Sequence, residues 1–349
     1  MQGWAIVPGQ ITKARTASAG FYNVNLDHDT TYSVEQKNIS ATYKSDLEVG
    51  KLVNIFSYDT TNLTQQFDQD ASPANVVYAY IKRGSNTWTE EFQLISPDAS
   101  TVKWIGGFFY LHNRQTAKPL QITGAAIAPL TYSSIYANMP EDSYAGYGQA
   151  TISAFDKTNL TMGLRYTIDN RSLSASSATS ANPSGISYLA QHTDTKMTWR
   201  AALDREIAPD VLGYASISRG FKSGLFNITA PANPAVLPQT VDAYEIGLKT
   251  EAFDHSLRIS AAGFYNIFDN IQVRQNVPGG FLLLNAPKAR TQGFDIDMST
   301  TPIQDLTVQG AVAYLDGKYG RFPNAPFLHP SPLAARYPPR AMLPAGTLF

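Results

Sequence analysis

Short and long gaps alternate without exception in this chain between segments in which period-2 hydropathy is the dominant pattern. Twelve such segments pair into six hairpins: 37–45 with 51–59, 88–96 with 102–113, 143–155 with 160–169, 196–206 with 211–220, 240–252 with 256–269, and 290–300 with 306–319. Connections inside the hairpins run to 3–5 residues, such as Asp156–Asn159 and Ile207–Asp210. Those between hairpins run to 28, 29, 26, 19 and 20 residues. A soluble sandwich rarely holds structureless loops above about 12–15 residues. In a barrel that crosses a membrane, successive turns leave on opposite sides, so short periplasmic turns and long extracellular loops must alternate. Segments of 9 to 14 residues also suit the ~9–11 that a tilted strand needs to cross hydrocarbon. The pattern predicts an all-β, antiparallel transmembrane barrel segment of about twelve to thirteen strands.

Side-chain parity agrees. Leu160, Met162, Leu164, Tyr166 and Ile168 share one face, and Thr161, Gly163, Arg165, Thr167 and Asp169 share the other. The charges Arg165, Asp169, Arg200, Glu245, Lys249, Arg258, Asp295 and Asp297 all take the polar parity of their strands. A basic residue facing lipid at mid-depth would cost roughly 2–4 kcal/mol, so these belong in a wet lumen. Asp242 and Arg205 take the apolar parity but lie near strand ends, where the cost is small. Segment 211–220 alternates too weakly to assign faces. Trp88, Trp104, Phe108, Tyr110, Tyr144, Tyr166, Trp199 and Tyr265 suit interfacial girdles; the alternative is the core of a two-sheet sandwich.

Composition excludes several other classes. Lys+Arg of 27 against Asp+Glu of 28 leaves no field to hold nucleic acid. The absence of cysteine removes disulfides, thiolate metal sites and a cysteine nucleophile. No run approaches the ~18 apolar residues of a spanning helix. Met1–Gln10 lacks a basic region and an apolar core, so no signal peptide is expected. Residues 1–36 read as an N-terminal segment with room for one strand at Ser18–Leu26, and 37–322 as a partial barrel. Residues 323–349 hold seven prolines and read as an irregular tail, as from a truncated or out-of-frame chain. The Ser/Ala-rich stretch 171–184 reads as a mobile loop.

Catalytic and metal chemistry find little support. The histidines (28, 112, 192, 255 and 329) are scattered with no metal-ligand spacing. Gly220-Phe221-Lys222-Ser223-Gly224 places its serine off the centre that a nucleophile elbow requires. Asp295 and Asp297 share a strand face, which lumen polarity explains more simply than acid–base work. No phosphate-binding glycine loop occurs. No cofactor, metal site or enzymatic activity is expected. Ligand contacts belong in the long loops: Tyr132 and Tyr136 in 114–142, Phe226 in 221–239, and Arg274 in 270–289. Aromatic rings stack on planar or sugar ligands, and arginine pairs with anionic oxygens.

Tyr214–Gly224 (YASISRGFKSG), Val241–Lys249 (VDAYEIGLK), Leu257–Val273 (LRISAAGFYNIFDNIQV) and Arg290–Tyr319 resemble strand-and-loop signatures of TonB-dependent outer-membrane receptors. Trp88–Ser96, Trp104–Tyr110 and Ser143–Asn170 are weaker matches in the expected order. The resemblance spans about residues 30–322. It implies a barrel of about 22 strands around an N-terminal plug, in the outer membrane of a Gram-negative bacterium. It implies uptake of a scarce nutrient, most readily an iron–siderophore complex. Its implied partners are outer-membrane lipid, an extracellular siderophore-like ligand and the TonB energising complex. No plug or energy-coupling box is recognisable, and the strand pattern ends about halfway. The expectation is a partial barrel without transport activity of its own. The alternatives are an outer-membrane barrel enzyme or porin-like protein, in which His112 would need a nucleophile partner, and a soluble β-sandwich or adhesin fragment.

Overall fold

The computed structural model describes residues 26–69, 73–254, 256–277 and 280–322. The suggested strand at Ser18–Leu26, the tail 323–349, and His255 and His329 lie outside or at the margin of that set. All twelve expected strands are present: β1 (Thr31–Leu47), β2 (Gly50–Asp68), β3 (Tyr78–Ile95), β4 (Val102–Thr123), β5 (Tyr132–Phe155), β6 (Thr158–Thr179), β7 (Asn182–Ala208), β8 (Val211–Lys222), β9 (Gln239–Ala252), β10 (Leu257–Val277), β11 (Gly280–Ile303) and β12 (Leu306–Tyr319). They join in chain order into one antiparallel sheet with β1 and β12 as its edges. Sequential antiparallel order puts the β1–β2, β3–β4, β5–β6, β7–β8, β9–β10 and β11–β12 turns on one rim. The other five connections share the opposite rim. Lys157, Asp210 and Asp305 close two-residue turns of the first rim with φ of 55°, 59° and 65°, the left-handed geometry that tight hairpins need.

The sheet is apolar outside and polar inside. Met162, Leu164 and Tyr166 on β6 are 57%, 53% and 50% exposed, whereas the alternating Thr167 and Asp169 are 4% and 6% exposed. Such a surface needs lipid on the outside and water or protein within. Register carries this parity around the sheet: Leu164 stands beside Gly148 on β5 and Trp199 on β7. It also resolves β8, where Arg219, Ile217, Ala215 and Gly213 point outward and Ser218, Ser216 and Tyr214 inward. The alternation was weak there because the outward positions are small rather than bulky. Of the two parity exceptions, Asp242 accepts from Arg219 Nε at 2.6 Å and Nη2 at 2.5 Å. A fork-to-fork pair of this kind neutralises both outward groups. Arg205, the other, remains without an ion pair among the described residues.

Tyr58 pairs in register with Trp88, Trp88 meets Tyr110 edge-on at 4.8 Å, and Tyr110 lies 4.9 Å from Tyr144. On the far side Tyr244 and Tyr265 lie 6.4 Å apart, and Phe294 stacks on Tyr314 at 5.8 Å. All point outward. Beyond the first row the outer face turns polar: the Thr60 hydroxyl donates to Asn86 Oδ1 at 2.7 Å, and Arg114 Nε donates to Asn138 Oδ1 at 2.7 Å. The aromatic row therefore marks the lipid boundary on the side away from the short turns.

Above that boundary the structure departs from the expected loops. Most of 60–87, 114–142, 170–195 and 270–289 continues as paired strand, broken between β4 and β5 at 124–131 and between β6 and β7 at 180–181. Residues 171–184, expected as a mobile loop, form the ends of β6 and β7 and the tight turn between them. β1 begins at Thr31, inside the stretch assigned to the N-terminal segment. Among the described residues, 223–238 between β8 and β9 remains a long irregular connection.

Candidate functional site

The residues 223–238 contain Pro231, Pro234 and Pro238, which cannot donate to a ladder, and so the segment leaves the sheet. It forms a strap across the concave face above the lipid boundary, folded back on itself where Val236 N–H donates to the Leu225 carbonyl at 2.9 Å. One end is tied to β6 and β7. The Ser223 hydroxyl donates to Asp169, the Gly224 N–H donates to Asp194 Oδ2 at 2.7 Å, and His192 Nε2 lies 3.0 Å from Asp194 Oδ1. Ser223, Asp169 and Asp194 are each 6% exposed. A side chain at Gly224 would place its Cβ 2.4 Å from the Val236 carbonyl oxygen and 2.7 Å from His192 Nε2. The Ser-Gly step that superficially suggested a nucleophile elbow is thus the strap's anchor.

The other end is tied to β11. Asn227, 2% exposed, donates to the Leu283 carbonyl at 3.0 Å and accepts from the Leu283 N–H at 2.6 Å. Thr229 donates to the Phe281 carbonyl, and Asn285 Oδ1 accepts from the Leu237 N–H at 2.7 Å. From β10, Gln272 Nε2 donates to the Ser223 carbonyl at 2.8 Å. Between the anchors Phe226 and Ile228 pack on a buried cluster of Ala117, Leu120, Ile135, Ala137, Leu173 and Ala175 from β4, β5 and β6. Adjacent residues Phe226 and Asn227 therefore touch the β4–β6 wall and β11, at least five strand spacings apart, or ~24 Å in a flat sheet. The sheet must curl strongly around the strap.

Of the four sequence-derived ligand residues, the structure gathers two on this inner side. Phe226 lies in the strap. Arg274 lies on β10 with its guanidinium carbon 4.0 Å from the Phe281 ring centroid, a cation–π contact that orients the fork. Tyr136 lies on β5 and alternates with the inward Ile135 and Ala137; it points outward and is 48% exposed. Tyr132 begins β5 at the rim, where its carbonyl accepts the Ser180 N–H at 3.2 Å. Both tyrosines belong to strand rather than to the expected loop. Sequence reasoning missed Arg83 on β3, which shares the inward side with Ala117. Arg83 and Arg274 are close enough to repel one another electrostatically, although they stand seven strand spacings apart along the sheet. No carboxylate among the described residues forms an ion pair with either. The site thus offers two guanidinium forks, one stacked on Phe281, beside an apolar strap. Nothing in the run Ile81-Lys82-Arg83-Gly84 distinguishes Arg83 from a solvated charge.

His112 does have a partner, but not a nucleophile. Its Nδ1 lies 2.8 Å from Asp142 Oδ1, which also accepts from the Tyr110 hydroxyl at 2.7 Å. This cluster sits on the outer wall beside Trp88 at the lipid boundary. Among the described residues no group of three His, Asp or Glu is placed to hold a metal ion.

The family description "TonB dependent receptor-like, beta-barrel" matches residues 3–347. Over 139 residues the chain is 30% identical to the metal-pseudopaline receptor CntO of Pseudomonas aeruginosa, covering 38% of this chain and 19% of that protein. The ferric yersiniabactin uptake receptor FyuA of Yersinia pestis superposes with a TM-score of 0.71 at 15% identity, covering 85% of this chain and 45% of that one. The siderophore receptor PiuA of Acinetobacter baumannii gives 0.64 at 14% identity, covering 84% and 48%. The chain spans about half the length of these solved receptors, and its match to CntO about a fifth of that protein. With one outward-apolar sheet in chain order and a family match over nearly its whole length, the chain belongs to the TonB-dependent receptor β-barrel family, outer-membrane transport receptors of Gram-negative bacteria and not enzymes.

Proposed function

We propose that the concave face around Arg83, Arg274 and the strap is the extracellular vestibule of an uptake receptor for an anionic metal chelate, with ferric siderophores the leading class. The observation that carries this reading is the pair of inward guanidinium groups without carboxylate partners. Arginine forks pair bidentately with carboxylate, hydroxamate or catecholate oxygens, and Phe226 and Phe281 supply apolar surface for a chelator's backbone. In this reading lipid surrounds the wall below the aromatic row, and the TonB energising complex is the periplasmic partner. The name of the relative CntO, a metal-pseudopaline receptor, supports a second reading in which the chelated metal is not restricted to iron.

The test is calorimetric titration of the purified receptor with ferric citrate and with the same chelator free of metal. Arg274→Ala should weaken binding of the anionic ferric chelate about tenfold or more, with Arg274→Lys intermediate, since one forked charge-assisted pair is lost. Raising the salt should weaken wild type more than the variant. Equal affinity in wild type and an Arg83→Ala, Arg274→Ala double variant would remove this site from the reading. Stronger binding of a zinc or nickel chelate than of the ferric one would favour the second reading.

A further inference from the structure

We infer that the outer wall over β8 holds one ordered phospholipid of the periplasmic leaflet, with its phosphate on Arg205 and an acyl chain in the groove above it. Register builds the groove. Leu203, Ala215 and Ile246 stand in one outward row across β7, β8 and β9, and Arg205, Gly213 and Leu248 stand in the next. In each row β8 contributes a small residue between larger flanks, which leaves a trough along β8. The trough belongs to an outward groove of about 670 Å³, almost wholly apolar, that continues over β10 to Phe294 and Ile296. Ile207 closes its lower end: a Cβ on Gly213 would fall 2.5 Å from Ile207 Cδ1.

Arg205 commits the groove to a lipid with an anionic headgroup. It lies four residues before the tight turn at 209–210, at the rim where headgroups of the periplasmic leaflet lie. Its side chain is outward and exposed, and it forms no ion pair among the described residues; the neighbouring Glu206 is taken by Lys157. The other outward parity exception, Asp242, is neutralised by Arg219 within the protein. For Arg205 the complementary charge must come from outside. A phosphate at the headgroup level would supply it, while the aliphatic trough receives the chain attached to that phosphate. Bulk lipid wets every outward strand, but here, among the described residues, an unpaired cation stands at the mouth of an apolar groove.

The receptor can be extracted from outer membranes in mild detergent and examined by intact mass spectrometry at rising collision energy. Wild type should retain one phospholipid after all others are stripped. Arg205→Gln should lower that occupancy about tenfold, Ala215→Phe should abolish it by filling the trough, and Arg205→Lys should keep much of it. Heat-modifiable migration on a gel confirms that each variant is folded. Should Arg205→Gln fail to fold, Ala215→Phe and Arg205→Lys decide the matter alone. Equal retention in wild type and Ala215→Phe, retention of lipopolysaccharide instead of phospholipid, or no retained lipid in wild type would each overturn the inference.

Discussion

Leu164→Arg is expected to destabilise the folded wall by ~2–4 kcal/mol, the cost of a basic residue facing lipid near mid-depth. Leu164 is 53% exposed on the outward face, between Gly148 and Trp199, with no acid at hand to neutralise a new cation. The reciprocal change one residue on, Arg165→Leu, should cost much less. Arg165 points inward and lies 5.2 Å from the Phe109 centroid and 5.6 Å from that of Tyr147. Its loss forfeits contacts worth about 1 kcal/mol and leaves an apolar residue in a wet lumen. Urea midpoints measured in bilayers, with gel migration as the index of folding, would rank the two. Equal midpoints, or a larger loss for Arg165→Leu, would falsify the facing of the whole sheet, because register transmits β6 parity to every other strand.

The strap supplies the second large effect. Asn227→Ala leaves the part-buried N–H and C=O of Leu283 without these partners, at up to about 1–3 kcal/mol for each group not rescued by water. Asn227 is held by β11 while its neighbour Phe226 packs against β4–β6, so release there should free the strap without unfolding the sheet. Hydrogen exchange at the Gly224 and Val236 amides, both bonded in the wild type, should speed up by one to three orders of magnitude, as ~2–4 kcal/mol implies. Exchange along β6 and β7 should not change. Asn233→Ala is the control, because only its backbone N–H is engaged, to the Ala230 carbonyl at 2.9 Å. Unchanged strap exchange in Asn227→Ala would mean that the anchors do not hold it.

The parts of this fold that face lipid were readable from the chain, and the parts above the lipid were not. Between lipid and lumen each strand meets two solvents of opposite character, and Leu160–Asp169 records that residue by residue. Beyond Tyr144 and Trp88 the outer face turns polar while the inner one is apolar only where the strap covers it, so the two-residue period fades although the ladder continues. Arg171–Ser184 shows the consequence. Its serines and alanines look like low complexity because only Leu173 and Ala175 pack under the strap, and the rest of its order comes from hydrogen bonding to β5 and within the hairpin. The same reasoning explains the site. Arg274 and Phe226 were legible as residue types suited to a ligand, whereas Arg83 became visible only when curvature carried β3 round to β10. Tyr136 shows the converse, since a tyrosine in an apparent loop proved to be a strand residue turned away from the vestibule.

The strap's β11 anchors grip main chain rather than side chains: Asn227 holds both polar groups of Leu283, and Thr229 holds the carbonyl of Phe281. Every residue type except proline presents those same groups. Positions 281 and 283 can therefore change size, charge or aromaticity while the strap stays docked. Phe281 is also the ring under Arg274, so the surface beside the arginine fork can drift freely against a fixed frame. If the proposed vestibule is the binding site, a lineage carrying this frame could move from one ligand to another by single substitutions at these two places while the strap's anchors stay intact.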